Sequence, residues 1–144
     1  MHVAGILQSK GSFVATIRPS STLHDLSVQL DEHGVGALVV STDGAHVEGI
    51  VSERDVARSI GRHGSDALDL PVSEIMSTDI RTCEPTDTVD SLMATMTRER
   101  VRHVPVVVDG QLAGIVSIGD VVKNRVDELQ EENGVLHEYL YSGR

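Results

Sequence analysis

The 144-residue chain has few aromatic residues, a single cysteine and too few basic groups to balance its acidic ones. Phe13, Tyr139 and Tyr141 are its only aromatic residues, and Cys83 is its only cysteine. One cysteine cannot form an intramolecular disulfide or a paired-cysteine metal site. A net charge of −10 and so few rings disfavour contact with a nucleic-acid backbone and stacking on its bases. We therefore expect no nucleic-acid partner.

Long hydrophobic runs are absent as well, although 40% of the residues are hydrophobic. No apolar stretch reaches the roughly 18 residues of a membrane-spanning helix, and the N-terminus lacks a charged-then-apolar signal sequence. We expect a soluble, cytoplasmic protein with no membrane partner. The chain can bury one modest core, or two small cores that share an interface.

Motifs for catalysis are also missing. There is no Gly-x-x-x-x-Gly-Lys-Ser/Thr loop, no Gly-x-Gly-x-x-Gly turn and no His-Glu-x-x-His helix. The seven histidines are scattered, so we expect no metal site. The segment 114–119 has one residue too many before Ser117 for a nucleophile elbow, and Cys83 is more typical of a small packed residue than of a nucleophile. We expect no catalytic residues and no enzymatic activity.

What the chain does contain is an internal duplication. Gly49-Ile-Val-Ser-Glu-Arg-Asp-Val56 returns as Gly114-Ile-Val-Ser-Ile-Gly-Asp-Val121, with the same first four and last two residues. The similarity extends to the leading segments, because residues 3–7 resemble residues 72–76. Self-similarity over so much of the chain predicts two copies of one structural unit.

Each copy predicts the order strand, helix, strand, strand, helix. In the first copy we expect strands at 14–17, 37–40 and 47–52, helices at 23–33 and 53–60, and a tight turn at Asp43-Gly44. In the second we expect strands at 80–83, 102–108 and 112–117, a helix at 89–98, a turn at Asp109-Gly110 and a final helix from Gly119. The domain division expected is 1–62 for the first repeat with its lead-in, 63–78 for a linker, 79–126 for the second repeat, and 127–144 for a helical extension.

The last helix carries an apolar stripe that the repeat does not require. Its members are spaced 4-3-4-3-4, as at the seam of a coiled coil, and they are Val122, Val126, Leu129, Asn133, Leu136 and Leu140. A lone Asn at such a seam commonly sets register and strand number. We expect a homodimer to which this helix contributes; the alternative is that the stripe folds back on its own repeat.

The repeated Ser-x-x-Asp at the start of a helix has two physical explanations. Ser at the N-cap with an acidic residue at the third helical position is close to a capping box. A carboxylate on the first helical turn is also suited to accept hydrogen bonds from the two hydroxyls of a ribose. The residues alone favour capping, since duplication preserves a cap as faithfully as a binding site.

The two β-α-β-β-α units, each with Gly-Ile-Val-Ser-x-x-Asp, together with Arg102-His-Val-Pro-Val106, resemble the CBS domain, named after cystathionine β-synthase. The pair resembles a Bateman module of the stand-alone bacterial type, over nearly the whole chain. The resemblance implies an α/β fold in which two tandem repeats pack about a pseudo-two-fold axis. It also implies a regulatory module that binds adenine nucleotides or adenosyl metabolites in clefts between the repeats, without catalysis.

The resemblance further implies roles for particular residues. Those that would hold the ribose are Asp55, Asp120, Ser52 and Ser117, with Ser capping retained. The purine would lie near Thr16 and Thr82, and the phosphates would meet Arg102, His103, Arg54 and Arg58. For Arg54 and Arg58 the alternative is a pair of solvated surface arginines. The second copy has Gly119 and Lys123 in their place, so the two clefts should differ.

The ligand and the output stay open at this stage. AMP, ADP, ATP, NAD and S-adenosylmethionine are all candidates, and none is required as a cofactor. An unidentified effector protein would receive the signal. The alternative function is an assembly or protein-interaction module whose clefts are vestigial.

Overall fold

The structure, a computed structural model, describes residues 1–11 and 13–142, and their side chains up to residue 134. The helices are α1 (Val3–Lys10), α2 (Leu23–His33), α3 (Glu53–His63), α4 (Val72–Ile75), α5 (Val89–Glu99) and α6 (Ile118–Ser142), and Gly64–Asp69 is a 3-10 helix. The strands are β1 (Thr16–Ile17), β2 (Ala37–Val40), β3 (Gly49–Ser52), β4 (His103–Val108) and β5 (Gln111–Ser117). This order confirms the expected two-repeat α/β fold.

The first repeat contains a three-stranded sheet in which β2 lies between β1 and β3. β1 runs parallel to β2, and β3 runs antiparallel to it. All four residues of β2 are buried, as expected for a central strand covered on both faces. The predicted tight turn at Asp43-Gly44 is wrong, because the Asp43 carboxylate accepts the backbone N–H groups of Ala45 and His46 and shapes a longer loop. β3 consequently begins at Gly49.

In the second repeat β4 and β5 form an antiparallel hairpin. Here the tight turn is confirmed, since Asp109 and Gly110 have φ angles of 52° and 78° and directly join the paired strand ends. The predicted strand at 80–83 is reduced to a single parallel bridge between Cys83 and Val106. Pro105 has no N–H to donate to the preceding residues of that segment, so the ladder cannot extend.

The apolar stripe of α2 enters the core as its spacing predicted. Leu23, Leu26 and Leu30 are all buried, and Leu26 and Leu30 lie in the core of the first repeat. Thr22 caps the helix in a reciprocal capping box with Asp25, and Gly34 ends it at a φ of 63°. These local signals explain why the bounds of α2 are those expected.

The two short leading helices pack on opposite repeats. Val3 and Ile6 of α1 lie in the core of the second repeat, whereas Val72 of α4 lies in the core of the first. The sequence division had grouped α1 with the first repeat because it directly precedes it in the chain. In the packed structure each core instead contains the leading helix that precedes the other repeat. This exchange of helices joins the two repeats.

The final helix, α6, begins inside the second repeat and continues beyond it. Val121 is buried in the second core, but Val122, Val126 and Leu129 are 56%, 45% and 57% exposed. These three residues of the predicted seam do not fold back on their own repeat. Leu136 and Leu140 lie outside the described side chains. Within the described part of the chain, no helix has both the length and the apolar character needed to cross a bilayer.

The packing of α1 makes a direct prediction. Ile6 is 4% exposed in the second core, so Ile6→Ala should lower the free energy of unfolding by about 2–5 kcal/mol. Urea unfolding followed by circular dichroism measures this loss, and Gln8→Ala on the exposed side of the same helix serves as the control. A loss below about 0.5 kcal/mol for Ile6→Ala, as for a surface residue, would show that α1 is not docked.

Candidate functional site

A cleft of about 270 Å³ opens where the end of β3 and the start of α3 face the end of α5 and the start of β4. We call it the first cleft. Its walls comprise Gly36 and Ala37, residues 50–55, Ser77, Asp79 and residues 100–103. The cleft therefore draws on both repeats, and five of the predicted site residues meet in it. These are Ser52, Asp55, Arg54 and, from the second repeat, the Arg102-His103 pair.

Asp55 is held at the base of this cleft by a capping box. Its Oδ2 atom accepts the Ser52 backbone N–H at 2.8 Å and the Ser52 hydroxyl at 3.1 Å, and its own N–H points to Ser52 Oγ at 3.4 Å. The capping role that the residues favoured is thus present. Capping uses Oδ2, and Oδ1 makes no hydrogen bond to any described residue. A fixed carboxylate with one uncommitted oxygen is suited to accept hydroxyl donors.

Three arginines line the first cleft. Arg102 and Arg100 come from the second repeat, and Arg54 comes from α3. Glu53 and Asp79 also line the cleft, so its charge is mixed rather than uniformly basic. Sequence reasoning missed Arg100, which ends α5 in a left-handed conformation with a φ of 55°. No local motif marks it, because only that backbone bend brings it to the cleft.

His103 lies over Gly36, where a Cβ atom would sit 3.6 Å from its ring. Burial lowers the pKa of His103 below its usual value of 6.5; Asp120 and Glu53 oppose this shift, whereas Lys10 and Arg102 add to it. The imidazole is therefore neutral at pH 7. It can donate or accept a hydrogen bond in the cleft, but the positive charge for an anion must come from the arginines.

Besides Ser117 and Asp120 of the second copy, three predicted site residues are not among those lining the first cleft. Thr16 lies half-buried in β1, and Thr82 is exposed next to the Cys83 bridge. Arg58 is exposed one turn along α3 from Arg54, in line with the alternative of a solvated surface arginine. The two arginines of α3 therefore differ in position, and Arg54 alone of the pair reaches the cleft wall.

In the second copy of the motif, Asp120 lines a small pocket between α1 and α6. This pocket of about 60 Å³, which we call the second cleft, is lined by Ile6, Ser9, Lys10, Asp120, Lys123, Asn124 and Asp127. Asp120 accepts the Ser117 N–H at 2.8 Å, and its own N–H donates to Ser117 Oγ at 3.1 Å, so this capping box is present as well. Asp120 differs from Asp55 in having an ion-pair partner, because Lys10 Nζ lies 2.6 Å from its Oδ2.

The pKa of Asp120 reflects that partner. Burial acts to raise it, but the hydrogen bond and charge of Lys10, with the hydrogen bonds from Ser117, outweigh burial and lower it below its usual value of 3.8. The group is a carboxylate at all physiological pH values. Sequence reasoning missed Lys10, because it is 110 positions away from Asp120 and belongs to a helix interpreted only as a lead-in.

The lone cysteine is unsuited to nucleophilic chemistry. Cys83 is 6% exposed and packs in the second core, as expected for a small apolar residue. Burial, with a smaller contribution from Asp87, raises the pKa of its thiol to about 12. Since the thiolate is the reactive form, the group is inert near neutral pH.

Comparison with known proteins agrees with this geometry. The CBS-domain family model matches residues 12–62 and 72–127, which together make up most of the chain. The chain belongs to the CBS-domain family, and its two matched segments form a CBS pair, which is a regulatory module.

Similar proteins come from plants, bacteria and archaea. The mitochondrial CBS domain-containing protein CBSX3 of Arabidopsis thaliana is 34% identical over 149 residues, spanning 98% of this chain and 72% of that protein. The crystal structure of a CBS-domain-containing protein of Agrobacterium tumefaciens is 41% identical, with a TM-score of 0.83, over 87% of this chain and 99% of that one. A Pyrobaculum aerophilum CBS domain protein, solved in complex with AMP, is 28% identical with a TM-score of 0.74, over 83% and 89%.

Proposed function

We propose that this chain is a regulatory sensor that binds an adenosine-containing nucleotide in the first cleft and does no chemistry on it. The observation that carries the proposal is that the Asp55 carboxylate of the first repeat and Arg100 and Arg102 of the second repeat line one cleft. A nucleotide has the complementary arrangement, with a vicinal diol at one end and anionic phosphates at the other.

The ribose end is the better defined of the two. Ser52 fixes the Asp55 carboxylate through Oδ2, so Oδ1 is held in place without a partner among the described residues. A preorganised carboxylate forms charge-assisted hydrogen bonds, which are stronger than neutral ones. Ribose hydroxyls placed against Oδ1 would therefore be bound without disturbing the helix cap.

The phosphate end is defined by charge. Arg102 and Arg100 line the cleft from the second repeat, and Arg54 lines it from α3. Guanidinium groups bind phosphate oxygens in bidentate fashion. Glu53 and Asp79 would repel an extended polyphosphate, which favours a ligand with one phosphate near the arginines over one with three. The AMP bound by the Pyrobaculum relative has that composition.

AMP is thus the ligand we favour, with ADP, ATP, NAD and S-adenosylmethionine as the other candidates. The purine would pack on aliphatic residues such as Ile50 and Val101, since the cleft has no aromatic side chain among its lining residues. Binding across two repeats favours the arrangement that brings their walls together, and this shift in population is the signal. The effector that receives it, and the cytoplasmic location expected from the sequence, stay predictions.

The ribose role of Asp55 is tested against its capping role by a matched pair of variants. Asp25 forms the same kind of capping box with Thr22 on α2, away from both clefts. Asp55→Ala and Asp25→Ala should each lose about 0.5–2 kcal/mol of stability through the cap. Only Asp55→Ala should also weaken AMP binding, by at least about tenfold, in isothermal titration calorimetry (a factor of ten is about 1.4 kcal/mol). Equal AMP affinity in the two variants would leave Asp55 with capping alone.

The phosphate role of Arg102 is tested by comparing ligands. Arg102→Ala should weaken AMP far more than adenosine, because only AMP offers the charge that the guanidinium binds. Arg58→Ala, which removes an exposed arginine outside the cleft, is the control and should leave both affinities unchanged. If Arg102→Ala weakens adenosine and AMP by the same factor, the phosphate does not lie at Arg102.

We also propose that the protein is a homodimer to which α6 contributes. The exposed stripe of Val122, Val126 and Leu129 is the observation that favours it, and it is also the feature that supports the alternative function of an assembly module. Burying such a stripe against its counterpart removes apolar surface from water on both chains. A closed two-fold dimer is the commonest homo-oligomer.

Light scattering across a dilution series tests this arrangement. Leu129→Asp should raise the dimer dissociation constant by at least about tenfold, since it places a charge in an apolar seam (a factor of ten is about 1.4 kcal/mol). Gln130→Asp, an exposed neighbour outside the seam, should leave the constant unchanged. A dimer as tight in Leu129→Asp as in the unaltered chain would show that this face has another role.

A further inference from the structure

Two residues of the first cleft, Asp55 and Asp79, have repeat equivalents in the second, Asp120 and Lys10. In the segment that leads to Asp79, Met76 approaches Gly49 so closely that an added Cβ would lie 2.6 Å from its Sδ atom. In the segment that leads to Lys10, Leu7 approaches Gly114, where an added Cβ would lie 2.7 Å from Cδ2. Met76 and Leu7 are equivalent in the repeat, as are the two glycines. Each leading segment therefore reaches its cleft by the same route.

The residues three positions after Leu7 and Met76 are equivalent in the repeat but carry opposite charges. After Leu7 the chain reaches Lys10, and after Met76 it reaches Asp79. Lys10 lines the second cleft together with Asp120, and Asp79 lines the first cleft together with Asp55. The Lys10 ammonium attracts the Asp120 carboxylate, whereas the Asp79 carboxylate cannot form an ion pair with that of Asp55. Asp79 bonds instead to Arg81, at 2.8 Å.

The Lys10 ammonium bridges Asp120 and Ile115, whose equivalents in the first repeat, Asp55 and Ile50, both line the first cleft, and on Asp120 it shares Oδ2 with the cap. Its Nζ atom donates to Asp120 Oδ2 at 2.6 Å and to the backbone carbonyl of Ile115 at 2.9 Å. It thus engages the carboxylate equivalent to Asp55 and a carbonyl of the adjoining strand β5.

We infer that the Lys10 side chain obstructs the second cleft. A chain then has one nucleotide site that is already open and a second that opens only when Lys10 is displaced. This inference rests on the proposed function and adds to it a residue that sets the occupancy of the two clefts. Lys10 and Asp120 keep 32% and 22% of their side chains exposed, and ion pairs at such positions add little to stability. The pair is therefore weak enough for a ligand to replace.

The experiment isolates the second cleft by working in the Asp55→Ala background, in which the first cleft is weakened. AMP is titrated by calorimetry into Asp55→Ala and into Asp55→Ala/Lys10→Met, since Met keeps the length of Lys without its charge. Binding to the double variant should be at least about tenfold tighter (a factor of ten is about 1.4 kcal/mol). Lys123→Met in the same background is the control, because Lys123 lines the second cleft but is not the residue that pairs with Asp120.

Two results would overturn the inference. Unchanged affinity on Lys10→Met would show that Lys10 does not obstruct the cleft, and weaker affinity would make it a ligand-binding residue instead. Carbon-13 NMR of the Asp120 carboxyl in the ligand-free protein checks the ion pair itself, and Lys10→Met should raise its pKa; an unmoved pKa would mean that the pair does not form. Absence of AMP binding to the unaltered chain would overturn the proposed function, and the role of Lys10 in ligand binding would fall with it, whatever the NMR result.

Discussion

The hydrogen-bonded junction between a buried strand and the helix that follows it is the constraint on which the site depends. At Ser52 and Asp55, and again at Ser117 and Asp120, the serine accepts from the backbone N–H of the aspartate, and the aspartate accepts from that of the serine. These two reciprocal hydrogen bonds fix the start of the helix and the orientation of the carboxylate. Because capping uses one carboxylate oxygen, structural and binding roles need not compete for the same atoms. The choice between a cap and a ribose site is therefore not exclusive.

The exchange of leading helices determines what surrounds each junction. α1 packs on the second core and α4 on the first, so each carboxylate faces a segment that does not lead into its own repeat. A single difference between those segments, Lys10 against Asp79, then gives the two clefts different electrostatics. The duplication preserved the capped carboxylate in both repeats, whereas the charge of the residue beside it differs between them. The clefts are alike in backbone geometry and unlike in what they can hold.

The final helix separates two roles within one element. Its first turn carries Asp120 and buries Val121 in the second core, whereas the following turns expose Val122, Val126 and Leu129. Because α6 carries both Asp120 and this exposed stripe, it would connect the proposed ligand site to the proposed interface.

The sequence by itself determined the two-repeat α/β fold, the caps and most element bounds, because these depend on local signals such as Thr22 before α2, Asp109-Gly110 between β4 and β5, and the repeated Gly-Ile-Val-Ser. It failed where a distant partner decided the outcome and, at Asp43, where a side chain formed local hydrogen bonds that the Asp-Gly turn signal does not show. The strand expected at 80–83 shrank because Pro105, across the sheet, has no N–H to offer. The turn at Asp43 opened because its carboxylate bound nearby backbone N–H groups instead of letting the strands meet. Arg100 and Lys10 entered the clefts only through a left-handed bend and an exchanged helix. Tertiary structure alone decided those contacts, since they join residues whose spacing along the chain carries no sign of their meeting.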